Sequence, residues 1–258
     1  MSNPIKRLAL TAACFSCIPL VGSSSNANLS GLSKYLPSLG LIIGLVLAGI
    51  MWLLQAVHCD KLLSATLITL SWLLITRAIH FDGLMDAADG LLSHRDRNRM
   101  LEIMRDSRVG NFGAITGISV ILLKVASLNS LPSAVVPTAL ILVPTWARFS
   151  EVYAIGAFQY LRSQGMGKVW HDTVRFPRDL LISSIVPAIA CMLGMYFCVF
   201  HHVPAVSLFT VTSGVATAIL IAKVLGGHTG DTYGATTELA ETGGLLLTAL
   251  YCELQGII

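Results

Sequence analysis

Charge is scarce in this chain. Only 12% of its 258 residues are Asp, Glu, Lys or Arg, and the formal net charge is +3. A soluble domain carries about twice that charged share, so an ordinary water-soluble protein is excluded. The basic residues stand among acids and form no stripe, which speaks against nucleic acid as a partner. Paired cysteines are also lacking. Of six cysteines, Cys14 and Cys17 alone have C-x2-C spacing, with no second pair or nearby histidines to complete a zinc site. Cys191 and Cys198 lie inside an apolar run, Cys59 and Cys252 near the ends of others, and all read as small hydrophobes.

What the chain has instead is apolar length: 54% hydrophobic residues and a mean hydropathy of +0.73. About 20 apolar residues cross a hydrocarbon core. Windows of that kind run over Leu36–Val57, Leu62–His80, Val109–Leu128, Leu131–Phe149, Leu180–Phe200 and Ala205–Ala222, and a shorter stretch covers Gly243–Ile258. The expectation is an all-α polytopic membrane protein of about six to seven transmembrane helices, folded as one domain over residues 1–258. The short links HCDK, NSLP and HHVP imply antiparallel hairpins. The longer links carry Arg95, Arg97, Arg99, Arg105 and Arg108, and then Arg162, Lys168, Arg175 and Arg178; the positive-inside rule puts both on the cytoplasmic side. Residues 1–25 carry Lys6 and Arg7 before a short apolar core, as a signal peptide does, but are read as a retained short or interfacial first helix.

The polar residues gather in three segments at that one face. In DGLMDAADG, Asp82, Asp86 and Asp89 are spaced i, i+4, i+7 and so share a helix face, where hard oxygen ligands suit Mg2+ or Mn2+ and leave positions open for phosphate oxygens. A solvated acidic helix start is the plainer reading of the same residues. In MLEIMRDSRVG, Glu102 pairs with Asp106 and Arg105 with Arg108, a candidate phosphate clamp or a set of cytoplasmic anchoring charges. In GGHTGDTYGA, Gly226, Gly227, Thr229, Gly230 and Thr232 form a candidate anion-binding loop, with Asp231 as a metal ligand or hydroxyl orienter; a flexible turn is the alternative. Glu238 and Glu241 follow it into an apolar segment. Among the histidines, His58, His201 and His202 fall in outer links and His171 in a loop, whereas His80 adjoins the aspartates.

These residues resemble a known family. HFDGLMDAADGLLSHRDRNRMLEIMRDSRVGNFGAI is similar to the signature of cobalamin-5'-phosphate synthases, also called adenosylcobinamide-GDP ribazoletransferases; GGHTGDTYGATTELAE resembles their second signature and LRSQGMGKVW their glycine-containing loop. The resemblance spans nearly the whole chain, with the first thirty residues least matched. It implies a membrane transferase of cobalamin biosynthesis that joins adenosylcobinamide-GDP to α-ribazole, or to its 5'-phosphate, with Mg2+ and release of GMP. It implies that Asp82, Asp86 and Asp89 hold the metal, that Arg105 and Arg108 neutralise phosphate oxygens, and that Asp231 or His80 receives the hydroxyl proton. Partners beyond the bilayer would be further copies of the chain or other corrinoid-assembly enzymes, and no nucleic acid. Two rivals fit less well. A CDP-alcohol phosphotransferase shares Asp86, Asp89 and Gly90 but would carry an alanine-arginine pair where Ser93 and His94 stand. A cation transporter would place charges at mid-span, and Leu36–Val57, Leu180–Phe200 and Ala205–Ala222 have none.

Overall fold

The structure is a computed structural model and describes residues 3–17, 28–197 and 202–256. Among these residues it is all helix, without a strand: α1 (Pro4–Phe15), a 3-10 turn (Ser33–Tyr35), α2 (Leu36–Ala56), α3 (Lys61–Ile75), α4 (Ile79–Leu91), α5 (Arg97–Ile103) and α6 (Asn111–Ser130). Then follow α7 (Val136–Ala157), α8 (Met166–Thr173), α9 (Arg178–Ser183), α10 (Ile185–Phe197), α11 (His202–Leu225) and α12 (Gly230–Leu254). Cys198, Phe200, His201, Ile258 and most of the signal-like segment after Cys17 lie outside the described residues.

The local starts are written in the sequence. The Asn3 side chain accepts from the Ile5 amide ahead of Pro4, and the Asp60 carboxylate accepts from Leu62 and Leu63 N–H at the head of α3. The expected span Leu62–His80 does not run straight through. Arg77 and Ala78 both adopt left-handed φ (55° and 50°), ending α3 at Ile75, and α4 leaves at 90° to it. A left-handed non-glycine residue costs roughly 1–2 kcal/mol, so packing around this corner must hold it. His80 therefore lies in the first turn of a new helix, at a right angle to α3.

Four helical stretches, Ser33–Ala56, Asn111–Ser130, Arg178–Tyr196 and His202–Leu225, are long and apolar enough to cross a membrane, and a fifth is added if the bent pair α3 and α4 is taken as one. The expected six to seven included α7 and α12. Both are long enough, but they carry Arg148 and Glu151, and Glu238 and Glu241, as buried residues.

Helix α12 is the centre of the bundle, packed on α11, α7, α6 and α4. Small residues allow the close crossings, as in membrane bundles generally. Gly40 and Gly44 of α2 lie on the backbone of Pro144, Leu140 and Ile141 in α7, and Gly244 of α12 lies on Thr210 of α11. Charge then fixes the middle of α12. Lys124 of α6 donates to Glu238 and Glu241, 2.7 Å each, while Arg148 of α7 donates to Glu241 at 2.8 Å and to the Pro144 carbonyl at 2.9 Å. The Lys124 ammonium also lies 4.8 Å from the Trp72 ring centroid. Two cations and two carboxylates, each at most 3% exposed, form a neutral set, the condition under which buried charge is tolerable.

Candidate active site

The close crossing of α4 and α12 builds the site. A Cβ on Gly83 would stand 2.9 Å from the Asp231 backbone, and one on Gly234 would stand 2.8 Å from the His80 carbonyl oxygen. With glycine at both places the two backbones touch, and Asp82 and Asp86 of one helix face Asp231 of the other. Beside this crossing lies a cavity of about 250 Å3. Helix α4 contributes His80 and Asp82 to its wall, and the first turn of α12 contributes Asp231 and Tyr233. The loop from Tyr160 to Gly167 and helix α8 close it with Arg162 and Trp170, while Glu151 of α7 and Phe15 of α1 complete it.

The glycine-rich segment before α12 is held in place rather than left open. His228 N–H donates to the Gln159 carbonyl and Leu161 N–H donates to the His228 carbonyl, both 2.8 Å, so the two loops are stitched together. Thr229 and Thr232 form a reciprocal capping box at the start of α12 and are fully buried. The His228 ring is sandwiched inside: Nε2 donates to the Ala218 carbonyl (3.1 Å) and Nδ1 meets Thr232 Oγ1 (3.0 Å), a tautomer assigned from these partners. Burial pulls its pKa down to about 4, keeping the ring neutral. Gly226 takes φ 75° at the turn, and Gly227 lies on the Gln159 carbonyl. Of the five residues expected to cradle an anion, only Gly230 lines the cavity; Gly226, Gly227, Thr229 and Thr232 shape the turn that presents Asp231.

The carboxylates are electrostatically crowded. Burial first, then the charges of Asp231, Asp82 and Asp89, push Asp86 up to about 6, with Arg162 opposing. Asp231, for its part, pairs with Arg162 Nη2 and accepts from Thr229 Oγ1 at 3.3 Å. Acids that repel one another in this way are stabilised by a cation. Among the described residues no three His, Cys, Asp or Glu side chains are grouped to hold a metal ion unaided. Two carboxylates with phosphate oxygens are nonetheless the usual protein share of a hydrated Mg2+ site, and the hard-oxygen set of Asp82 and Asp86 has that chemistry.

Asp89 departs from the expected metal triad. One carboxylate oxygen accepts from Gly110 N–H (2.7 Å) and the other from Gly113 N–H (2.8 Å), so Asp89 caps the start of α6. Side chains at 110 or 113 would collide with that carboxylate, which explains both glycines of RVGNFG. The expected phosphate clamp also stands elsewhere. Arg105 is exposed, and Arg108, 87% exposed, pairs with Asp106 at 2.7 Å beside a separate surface depression. That pairing holds the Asp106 carboxyl down at about 2. The arginine that does reach the cavity is Arg162. His80 is brought to the cavity, 3% exposed, stacked on Phe15 at 5.3 Å between centroids, with Nε2 3.5 Å from Glu151 Oε2 and no hydrogen bond at either ring nitrogen.

Sequence reading missed Arg162, Glu151, Phe15, Trp170, Tyr160 and Tyr233. Arg162 lay within the glycine-containing loop, and Glu151 stands three residues from Arg148 at the end of an apolar run, a spacing that marks an inward face. The aromatic residues carried no local signal.

A model of the family described as cobalamin-5-phosphate synthase matches residues 7–249. A protein of Thermosynechococcus vestitus named adenosylcobinamide-GDP ribazoletransferase is 36% identical over 92% of this chain and 92% of its own. Proteins of the same name from a Synechococcus species and from Desulfitobacterium hafniense are 39% and 37% identical, over 82% and 78% of this chain and 84% and 80% of theirs. No solved structure matches the chain.

Proposed function

The chain belongs to the cobalamin-5-phosphate synthase family, and on that premise we propose that it transfers the cobinamide-phosphate group of adenosylcobinamide-GDP to α-ribazole or α-ribazole 5'-phosphate, releasing GMP. The observation that carries this reading is the meeting of Asp82 and Asp231 with Arg162 at one cavity, with Asp86 close enough behind them to feel the charges of both aspartates. Mutually repelling carboxylates beside one arginine suit a pyrophosphate bound with a divalent cation along this edge of the cavity.

In this mechanism a ribose hydroxyl oxygen of the acceptor forms a bond to the phosphorus on the cobinamide side, and the bond from that phosphorus to the bridging oxygen breaks. GMP leaves with the electron pair of the broken bond. Asp82 and Asp86 hold the cation, with Asp89 supporting them through α6; bound Mg2+ supplies neutralisation of the pyrophosphate oxygens. Arg162 exchanges part of its pairing with Asp231 for a phosphate oxygen. Asp231, on the fixed first turn of α12, then takes the hydroxyl proton. His80, flat against Phe15, borders the acceptor rather than the pyrophosphate.

The same reading sets the chain in a bacterial inner membrane with six to seven crossings, α7 and α12 included. The basic loops, and with them the cavity, face the cytoplasm, where the soluble corrinoid donor arrives. The experiment is direct: purified protein in detergent, given adenosylcobinamide-GDP, α-ribazole and Mg2+, should release GMP, and EDTA should stop it. Undiminished GMP release in EDTA removes the metal from the proposal, and absence of GMP with Mg2+ present removes the activity.

A further inference from the structure

The cavity carries more polar atoms than the protein satisfies. Trp170 Nε1, Tyr233 Oη, Arg162 Nε and both ring nitrogens of His80 are buried and have no hydrogen-bond partner among the described residues, and all four residues line this one cavity. Buried polar groups are rarely left unpaired, and five such atoms around a single space point to a ligand that pairs them. The other walls are aromatic. Phe15 lies against Trp170 at 4.7 Å and against His80 at 5.3 Å between centroids; opposite them in sequence and element, Tyr160 lies against Tyr233 at 5.9 Å. The ligand thus has a planar apolar part and a part rich in polar atoms. Its size is bounded as well: about 250 Å3 falls below the ~300–1,000 Å3 of drug-sized ligand sites. One bicyclic ring with much of its sugar fits, and a corrin macrocycle does not.

Resting on the transfer reading above, we propose that this cavity is the acceptor pocket. It takes a nucleoside with a planar, weakly polar bicyclic base, α-ribazole, its base against Phe15, Trp170 and Tyr160 and its ribose toward Tyr233, His80 and Asp231, while the donor presents only its pyrophosphate, at Asp82 and Arg162, and its corrin macrocycle stays outside. The arrangement also fits an in-line displacement: with the attacking hydroxyl inside, GMP departs on the open side. Phe15 makes the N-terminal helix α1 part of the pocket, a role its signal-like composition conceals.

The test is α-ribazole binding by titration calorimetry to the full chain in detergent, without donor or Mg2+, together with steady-state GMP release. Wild type is expected to bind α-ribazole, with no competition from GMP. Trp170→Phe, which keeps a ring but removes the N–H, and Tyr233→Phe, which removes only the hydroxyl, should each weaken α-ribazole binding and raise its KM about tenfold while the KM for adenosylcobinamide-GDP stays where it was. Phe15→Ala, the harsher change, should do the same more strongly. Competition by GMP, or a rise in the donor KM instead, assigns the cavity to guanine and overturns the proposal. Failure of the two readings is distinguishable: α-ribazole binding without any GMP release leaves the pocket and sinks the transfer, and GMP release with α-ribazole binding unaltered in all three variants leaves the transfer and sinks the pocket.

Discussion

The first turn of α12 and its middle treat buried polarity in opposite ways. Around Glu238 and Glu241, Lys124 and Arg148 close a neutral set in which Arg148 Nε is the one orphaned atom. One to two turns earlier, beside Tyr233, the neighbouring His80, Trp170 and Arg162 all have unpaired buried atoms. The difference separates function from support. Buried charge that is matched inside the protein holds helices in place, whereas the unmatched atoms gathered around one cavity are what the proposed acceptor would pair.

The largest effect should come from breaking the matched set. Lys124→Met leaves two carboxylates buried without their shared cation, which costs about 3–5 kcal/mol, read as a fall in thermal midpoint or loss of folded protein in detergent. A variant as stable as wild type would show that the set contributes no net stability. Next, Asp231→Asn and Asp82→Ala should each lower GMP release at least ~100-fold while the thermal midpoint stays within a few degrees. Loss of folded protein in both would move these residues to the supporting group. Asp89→Ala falls between the two classes: it strips the Gly110 and Gly113 amides of their acceptor, costing about 1–3 kcal/mol. Its residual activity should recover at low temperature, which a lost metal ligand would not allow.

Acid sharpens the contrast further. The folded protein holds His228 at about 4, against an ordinary 6.5. Between those values the unfolded chain binds the proton and the folded chain does not. The stability from burying a neutral ring is therefore complete above about pH 6.5 and lost as pH falls toward 4. His228→Gln should flatten that slope in melts from pH 7.5 to 4.5; an unchanged slope would place the acid sensitivity elsewhere. The smallest effect belongs to Arg108→Ala. As an exposed partner of Asp106 it should alter kcat/KM by less than about fivefold, and a larger loss would restore the phosphate clamp read from the sequence.

Helix content, most span positions and the three polar segments were legible because each rests on local pattern: apolar length, i, i+4 spacing, and glycine beside threonine. The corner at Arg77 and Ala78 was not, since neither residue type announces a left-handed backbone, and the span drawn to His80 ran through it. The aspartate triad was legible as a face but not as a set. Spacing puts Asp82, Asp86 and Asp89 on one side of α4, and two different neighbours then divide that side, α12 with Asp231 for the first two and the α6 amides for the third. The glycine-rich loop read as an anion cradle because its composition permits one; its amides and hydroxyls turned out to serve the α12 cap and the stitch to Leu161.

By itself, then, the sequence determined that this is a helical protein with several stretches apolar enough to cross a membrane and its polar residues concentrated in three segments, because hydropathy, periodicity and capping act over a turn or two of chain. Only the tertiary structure decided which acids meet, that Arg162 is their counter-charge, and that Phe15, Trp170 and Tyr233 wall one cavity. Those pairings depend on where Gly83 and Gly234 let two backbones touch, a contact between residues about 150 positions apart that no local pattern encodes.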